Sequence, residues 1–514
     1  MLSDSTQETS WRSTVASLYD IRVLRMGLLG FSAGLPILLI FSTLSLWLRD
    51  AGMARSAVTF FSWAALGYSF KFVWSPLVDR LPLPFLTSIV GRRRSWLLLS
   101  QFAVMFAIFF TGLWDPSNEA MIVYTAVGAV MIGFTSATQD IVIDAYRIEM
   151  APMEMQPLLS AVYIAGYRIG MIAAGAGSLY LADFWQGSDG YVFDAWSKVY
   201  LCMSALMIVG ILTTFFSPEP DKQEKDDKTF TATSDYVRFF VLFLLTVAAF
   251  IAVFSGSKEI ISAFKTSITD LGMSKHVASF TAGSLRMLGS IALAGVAAYL
   301  LTLIGLCQWD HVETTYVAPV FDFFTRYAHV AIWILVLIST YRIADIVMGA
   351  IANVFYQDMG YTKTDIASFS KLWGLLATIA GGFLGGIFAV RFGVVRILVL
   401  GAILAAATNL LFVLLAVSET NLTLLASVIT ADNLSAGLAS AAFVAYLSSL
   451  TNVQFTATQY ALFSSIMTLF PKIMAGYSGS FVDSIGYSAF FTGTAVLGIP
   501  VLLVIWWIEK RQAA

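Results

Sequence analysis

Asp140 and Asp144 lie four residues apart in Ser136-Ala-Thr-Gln-Asp-Ile-Val-Ile-Asp-Ala-Tyr-Arg147, so a helix there presents both carboxyls on one face. Two carboxyls so placed need not ionise together, and one can hold a proton while the other stays charged. Asp140 is the deeper of the pair in its apolar run and the first candidate for a proton carrier, with Asp345 and Asp432 next. Asp144 is expected to pair with a loop arginine. Lys71, Arg168, Lys371 and Lys472 each interrupt a long apolar run, as does Arg286. Arg342 and Asp345 are three residues apart and either neutralise each other or serve a ligand. Gln139, Tyr167, Asn433 and Gln459 offer hydrogen bonds to a sugar or peptide, or tie helices together. A charge in such surroundings costs a few kcal/mol and must pair, line water or work.

The surroundings themselves are unambiguous. Of 514 residues, 58% are hydrophobic and 12% charged, too few to coat soluble domains of that total length. An all-α polytopic membrane protein fits. The net charge of −2 gives no field for nucleic acid. Cys202 and Cys307 make no disulfide framework, and His276, His311 and His329 have no metal-ligand spacing, so neither metal nor cofactor is expected. No phosphate-binding loop is present, and nothing marks a removed signal peptide. A membrane-embedded enzyme would need a nucleophile–base pair or a carboxylate–metal cluster at the interface, and the histidines have no such company.

Spanning helices need about 20 apolar residues. Fourteen runs qualify, near 26–48, 57–78, 95–114, 120–143, 157–182, 197–217, 237–256, 278–306, 328–355, 364–390, 394–417, 421–450, 457–478 and 487–508. The last six repeat the first six: Asp50-Ala-Gly-Met-Ala-Arg-Ser-Ala-Val-Thr-Phe-Phe-Ser62 parallels Asp358-Met-Gly-Tyr-Thr-Lys-Thr-Asp-Ile-Ala-Ser-Phe-Ser370. The expected organisation is a six-helix bundle over 1–220, a charged linker over 221–235, an inserted pair over 236–310 and a second bundle over 326–514. With the N-terminus inside, seventeen Lys and Arg fall on the cytoplasmic side against seven outside, which places both termini in the cytoplasm. Three of those seven, Lys258, Lys265 and Lys275, belong to the inserted pair. Numbering the twelve core spans without the insert, the charges at membrane depth fall on spans 2, 4, 5, 7, 8, 10 and 11. A polar interior between two related bundles implies a secondary transporter with its ligand near the midplane.

At these residues the chain resembles known proteins. Asp79-Arg80 followed by Gly91-Arg92-Arg93-Arg94 is similar to the loop G-x3-D-[RK]-x-G-x-[RK]-[RK] of the major facilitator superfamily. Ser75 replaces the first Gly, the loop is longer, and the second-half copy from Gly386 to Arg396 lacks the Asp. More closely, the chain resembles the anhydromuropeptide permease (AmpG) family of Gram-negative bacteria. Gly30-Phe-Ser-Ala-Gly-Leu-Pro36, Phe70-Lys-Phe-Val-Trp-Ser-Pro-Leu-Val-Asp-Arg80, Gly91-Arg-Arg-Arg-Ser-Trp96 and Ser136–Asp144 carry that likeness in the first half, with Gly166-Tyr-Arg-Ile-Gly-Met171. Lys371-Leu-Trp-Gly-Leu-Leu-Ala-Thr378 and Phe455-Thr-Ala-Thr-Gln-Tyr-Ala-Leu462 carry it in the second.

The resemblance implies a monomeric inner-membrane permease that imports 1,6-anhydro-muropeptides from periplasm to cytoplasm with protons, for cell-wall recycling. Acetyl-CoA, a siderophore or a peptide is the alternative cargo. Lys71, Gln139, Tyr167, Arg168, Arg342, Lys371, Asn433, Gln459 and Lys472 are the expected cargo contacts. Under alternating access, Gly34 and Pro36 would let span 1 bend. Asp79 and Arg80 would brace the cytoplasmic gate against Asp144.

Overall fold

The structure is a computed structural model that describes residues 19–53, 68, 70–187, 190–220, 233–273, 275–362, 365–475 and 478–512. Among them every regular element is helical. Span 1 is built from α1 (Ile21–Ile40) and α2 (Ser42–Asp50). Most of span 2 lies outside the described residues, which take up again with a 3₁₀ turn, Lys71–Val73, and α3 (Ser75–Arg80). Spans 3 and 4 are α4 (Arg92–Gly112) and α5 (Ile122–Glu149). Span 5 joins α6 (Gln156–Ile172) through a π turn to α7 (Ser178–Gln186), and span 6 is α8 (Phe193–Leu206) with α9 (Ile208–Phe215).

The insert contributes α10 (Thr233–Gly256), α11 (Lys258–Asp270) and α12 (Lys275–Leu303). Span 7 is α13 (Ala331–Thr340) and α14 (Ile343–Asp358), and span 8 is a π segment, Ile366–Trp373, followed by α15 (Gly374–Phe392). The remainder is α16 (Val394–Val417), α17 (Leu422–Leu450), α18 (Thr456–Ala475), α19 (Ser478–Val496) and α20 (Gly498–Gln512).

Twelve of the described helices are long and apolar enough to cross a membrane. Two of the fourteen expected spans are absent from that set. Span 2 falls mostly outside the described residues; α18 is helical at the expected place but is diluted by Gln459, Lys472 and its hydroxyl residues. The outward faces carry exposed Phe102, Phe106, Val130, Leu212, Ile403, Leu410 and Leu503, the surface a lipid environment calls for.

The two bundles form one compact unit, Met1–Asp221 with Phe323–Ala514, and Lys222–Asp322 forms another. The repeat is visible in the backbone. α4 and α16, the third span of each half, both open after a glycine at positive φ: Gly91 at φ 90°, ψ 168° and Gly393 at φ 92°, ψ 148°. An L side chain resists that conformation, so Gly sits where each chain reverses into its next span.

The first bundle centres on Trp47, whose ring lies 6.0 Å from Trp196 and 4.8 Å from Tyr200. The second centres on Phe355, Phe412 and Phe491 at one end and on Tyr341 stacked against Phe443, 4.4 Å apart, at the other. α1 and α6 approach backbone to backbone. A Cβ on Gly30 or Gly34 would overlap the carbonyls of Tyr163 and Tyr167, and one on Gly166 or Gly170 would overlap those of Gly27 and Phe31. Two Gly-x3-Gly faces therefore meet, which is how membrane helices gain close packing where no hydrophobic effect drives them together. Gly34 is thus a packing residue. The break in span 1 falls beyond Pro36, at Phe41 (φ −109°, ψ −98°).

In the insert, the Arg286 guanidinium lies 4.0 Å from the Phe254 ring centroid and its Nε donates to the Phe254 carbonyl at 2.8 Å. Arg286 thus ties α12 to the end of α10. The basic stretch of the insert is largely α11, an amphipathic helix that carries Lys258 and Lys265.

Candidate functional site

Three of the basic residues at depth sit where helices are irregular. Lys71 opens the 3₁₀ turn that precedes α3, Arg342 occupies the break between α13 and α14 (φ −101°, ψ 11°), and Lys371 falls in the π segment of span 8. Such interruptions leave backbone groups to be satisfied inside the protein and commonly mark working sites. The side chain of Lys371 lies outside the described residues.

Lys71 is buried and its Nζ lies 3.6 Å from Asp144 Oδ2, so the acid that answers Lys71 is the one expected to hold a loop arginine. The other Asp144 oxygen faces Arg147 Nη2, also at 3.6 Å. Asp140 is buried one turn away, with Lys71, Tyr163 and Tyr167 close enough to act on its carboxyl, and its Oδ1 has no hydrogen-bond partner. In the second bundle Arg342 Nε stands 3.6 Å from Asp345 Oδ2. Asp432 has the Thr408 hydroxyl at 3.5 Å. Arg168 is half-buried; its Nη1 lies 3.7 Å from the Met171 sulfur, and it feels the charge of Arg342 from the opposite bundle. Two cations, one from each bundle, thus act on each other, and Asp345 stands beside the second of them.

The amides behave differently. Gln139 is fully buried and donates to Ser32 Oγ at 3.0 Å, tying α5 to α1. Asn433 accepts from Thr378 at 2.8 Å and donates to the Ile429 carbonyl at 2.9 Å, tying α17 to α15. Gln459 sits at the start of α18, where its Oε1 accepts from the Asn452 N–H at 2.7 Å and from Arg326 at 3.0 Å, well away from mid-membrane. Lys472 is exposed beyond Pro471 on the same helix.

The bundles are joined at the end that carries the 81–91 loop, called here the basic end. Asp79 is buried; it accepts from Arg93 Nη2 at 2.7 Å, from the N–H of Thr458 at 2.8 Å and of Ala457 at 3.2 Å, and from the Thr458 hydroxyl at 2.8 Å. A carboxylate from the first bundle therefore caps the N-terminus of α18 in the second, where unpaired N–H groups and the helix dipole favour negative charge. Arg93, fully buried, also binds Glu149 through Nε at 2.8 Å and Nη2 at 2.6 Å and reaches Thr456 Oγ1 at 2.7 Å; the Thr456 hydroxyl binds Glu149. Arg80 lies over the Phe455 ring, 5.1 Å from its centroid. The brace expected of Asp79 and Arg80 thus closes on Glu149 and α18, while Asp144 pairs with Lys71 and Arg147. On the other flank α6 packs against α15 and α17. There a Cβ on Gly386 would stand 2.6 Å from the Ala161 Cβ, so the contact is dry and tight.

Sequence reasoning missed Arg93, Glu149, Arg147 and the Thr456–Thr458 helix start as partners. Thr456-Ala-Thr before an apolar run was a readable helix start. Nothing in the sequence said which acid would cap it.

The Major Facilitator Superfamily profile matches residues 26–306. The fold agrees: the proton:xylose symporter XylE superposes with TM-score 0.57 at 12% identity, covering 96% of each chain. The E. coli fucose:proton symporter FucP gives 0.59 at 12%, covering 95% of this chain and 99% of that one. The chain belongs to the major facilitator superfamily and is a multi-pass membrane transporter, not an enzyme. Within it, a Rickettsia conorii protein named as an AmpG 4 transporter is 30% identical over 96% of this chain and 97% of its own length. The anhydromuropeptide permease of Escherichia coli K12 is 29% identical over 93% of this chain and 78% of its own. The chain is a member of the AmpG family.

Proposed function

We propose that this transporter imports 1,6-anhydro-muropeptides across the bacterial inner membrane from periplasm to cytoplasm by proton-coupled alternating access, serving peptidoglycan recycling. The basic end is then cytoplasmic, and the conformation described is closed on that side. The observation that carries the cargo reading is the pair Arg168 and Arg342, one from each bundle, close enough to act on each other. A cargo carboxylate bridging the two would satisfy both and draw the bundles together around itself. The kinship with the E. coli anhydromuropeptide permease supports the choice of cargo. Asp140 supports the coupling: a buried carboxyl beside a lysine can exchange a proton as the bundles rock.

The test is uptake of radiolabelled anhydromuropeptide into right-side-out vesicles, with and without a proton uncoupler. Accumulation that the uncoupler abolishes is expected, and Asp140→Asn should bind cargo yet lose accumulation. Uptake that only equilibrates would remove the proton from the mechanism; no uptake beside a working control permease would remove the cargo. Arg168→Gln should raise KM about tenfold, the loss of one charge-assisted contact. An unchanged KM would free Arg168 from cargo binding.

A further inference from the structure

Arg147 belongs to no part of the expected site, yet among the described residues it is the one fully buried guanidinium that touches both the acid cluster and the opposite bundle. Its Nη1 donates to Gln156 Oε1 at 3.1 Å, to Ser160 Oγ at 2.9 Å and, across the seam, to Ser448 Oγ of α17 at 2.9 Å. Its guanidinium lies 5.2 Å from the Tyr460 ring centroid of α18. Among the described residues its charge is answered by Asp144 alone, at 3.6 Å, and its Nε has no hydrogen-bond partner. Lys71 draws on the same carboxylate from the other side, also at 3.6 Å.

Two buried cations therefore share one committed acid, and the second acid within reach is Asp140. With Asp140 ionised the four charges balance. When Asp140 takes up a proton, the cluster is left with one excess positive charge in a buried setting, and Lys71 loses half of its compensation. Lys71 then settles fully on Asp144. Arg147 loses the only carboxylate that answers it, and a buried cation without a counter-ion is strongly disfavoured.

We propose that Lys71 and Arg147 form a charge-balance relay through which proton uptake at Asp140 releases the Arg147–Ser448 contact and opens the cytoplasmic seam. The relay rests on the proton-coupled reading given above and names what connects the proton site to the gate. The other titratable groups facing the cluster are Tyr68 before α3, Tyr163 and Tyr167 of α6, and Tyr460 of α18. Arg147 is a positioning residue in this scheme: it touches neither cargo nor proton.

The experiment is a spin-label distance between Phe85→Cys and Gln454→Cys, two exposed positions at the basic end on opposite bundles, with Cys202 and Cys307 replaced by alanine, in nanodiscs without cargo. The unmodified core should give one short distance. Asp140→Asn, which fixes the neutral state, should raise the long-distance population about tenfold. Adding Lys71→Met should reverse this, because Asp144 is then left to Arg147 alone. Arg147→Met should give the long distance whatever residue stands at 140. A long distance in the Lys71→Met/Asp140→Asn double variant, or a short one in Arg147→Met, overturns the relay. If Arg147→Met does not fold, the Lys71–Asp140 cycle decides on its own. Failure of the transport reading registers elsewhere, as absent uptake by the wild-type protein; failure of the relay leaves that uptake intact.

Discussion

Replacing Asp79 with alanine is expected to abolish net accumulation while leaving the protein in the membrane. The substitution removes one carboxylate but strands several groups. Arg93 keeps Glu149 yet loses half of its compensation, and the first N–H groups of α18, at Ala457 and Thr458, lose their cap. Breaking a buried, hydrogen-bonded ion pair by deleting one partner typically costs about 3–5 kcal/mol. The Asp79–Arg93 pair lies within the first bundle and is lost in every state, whereas the cap on α18, which exists only while the bundles meet, is lost by the closed state alone. Loss of the cap, about 1–2 kcal/mol, reduces the closed population about five- to thirtyfold relative to the open one. Cargo binding from the cytoplasmic side should survive, since Asp79 is remote from Arg168 and Arg342. Exchange of cargo between the two faces, measured beside accumulation, checks this: accumulation at the wild-type level in Asp79→Ala would show that the cap does not hold the gate.

Gly166→Leu should be the most damaging substitution in the first bundle, lowering folded yield rather than turnover. The Cβ alone would overlap the Gly27 carbonyl and stand 3.0 Å from the Phe31 nitrogen, and both are backbone atoms that no rotamer change can move. α1 and α6 would have to separate along their length, giving up the neighbouring contacts at Gly30, Gly34 and Gly170 together. Overpacking of a well-fitted seam costs about 1–3 kcal/mol and more when backbone must shift. Gly289→Ala in α12 is the matched control, since nothing stands within 4 Å of that position. The readout is the monodisperse peak on size-exclusion chromatography after mild heating. A Gly166→Leu protein as heat-resistant as Gly289→Ala would refute the seam.

Much of the architecture was legible because it is written in composition. Apolar runs placed the spans, the Lys and Arg bias gave an orientation, and the repeated Asp-x-Gly stretch paired the halves. The site was legible by type and less so by partner. Lys71 had no acid within helical reach in sequence; Asp144 meets it only because the 3₁₀ turn brings span 2 against α5. Gly34 and Pro36 were read singly as a bend. The second Gly-x3-Gly, at Gly166 and Gly170, was the signal that span 1 has a close neighbour. Gln459 was expected to meet cargo, whereas its helix begins only three residues earlier and keeps it at the end. Amide side chains carry no address of their own, since a ligand and a neighbouring helix satisfy them equally well.

The two flanks of the basic end are chemically unlike. One is sealed by Asp79, Arg93 and Glu149 against the start of α18; the other is the dry crossing of Gly386 against Ala161. Charged hydrogen bonds are directional and fail once stretched by an ångström or so, whereas close apolar surfaces can slide and roll without losing much contact. The two sides therefore do not part together. The polar flank unlatches and the Gly386 crossing serves as a pivot, so the passage widens from one edge like a door on its jamb. Bulky cargo would leave past α18. Spacings measured across 79–458 should then change more during turnover than those across 161–386.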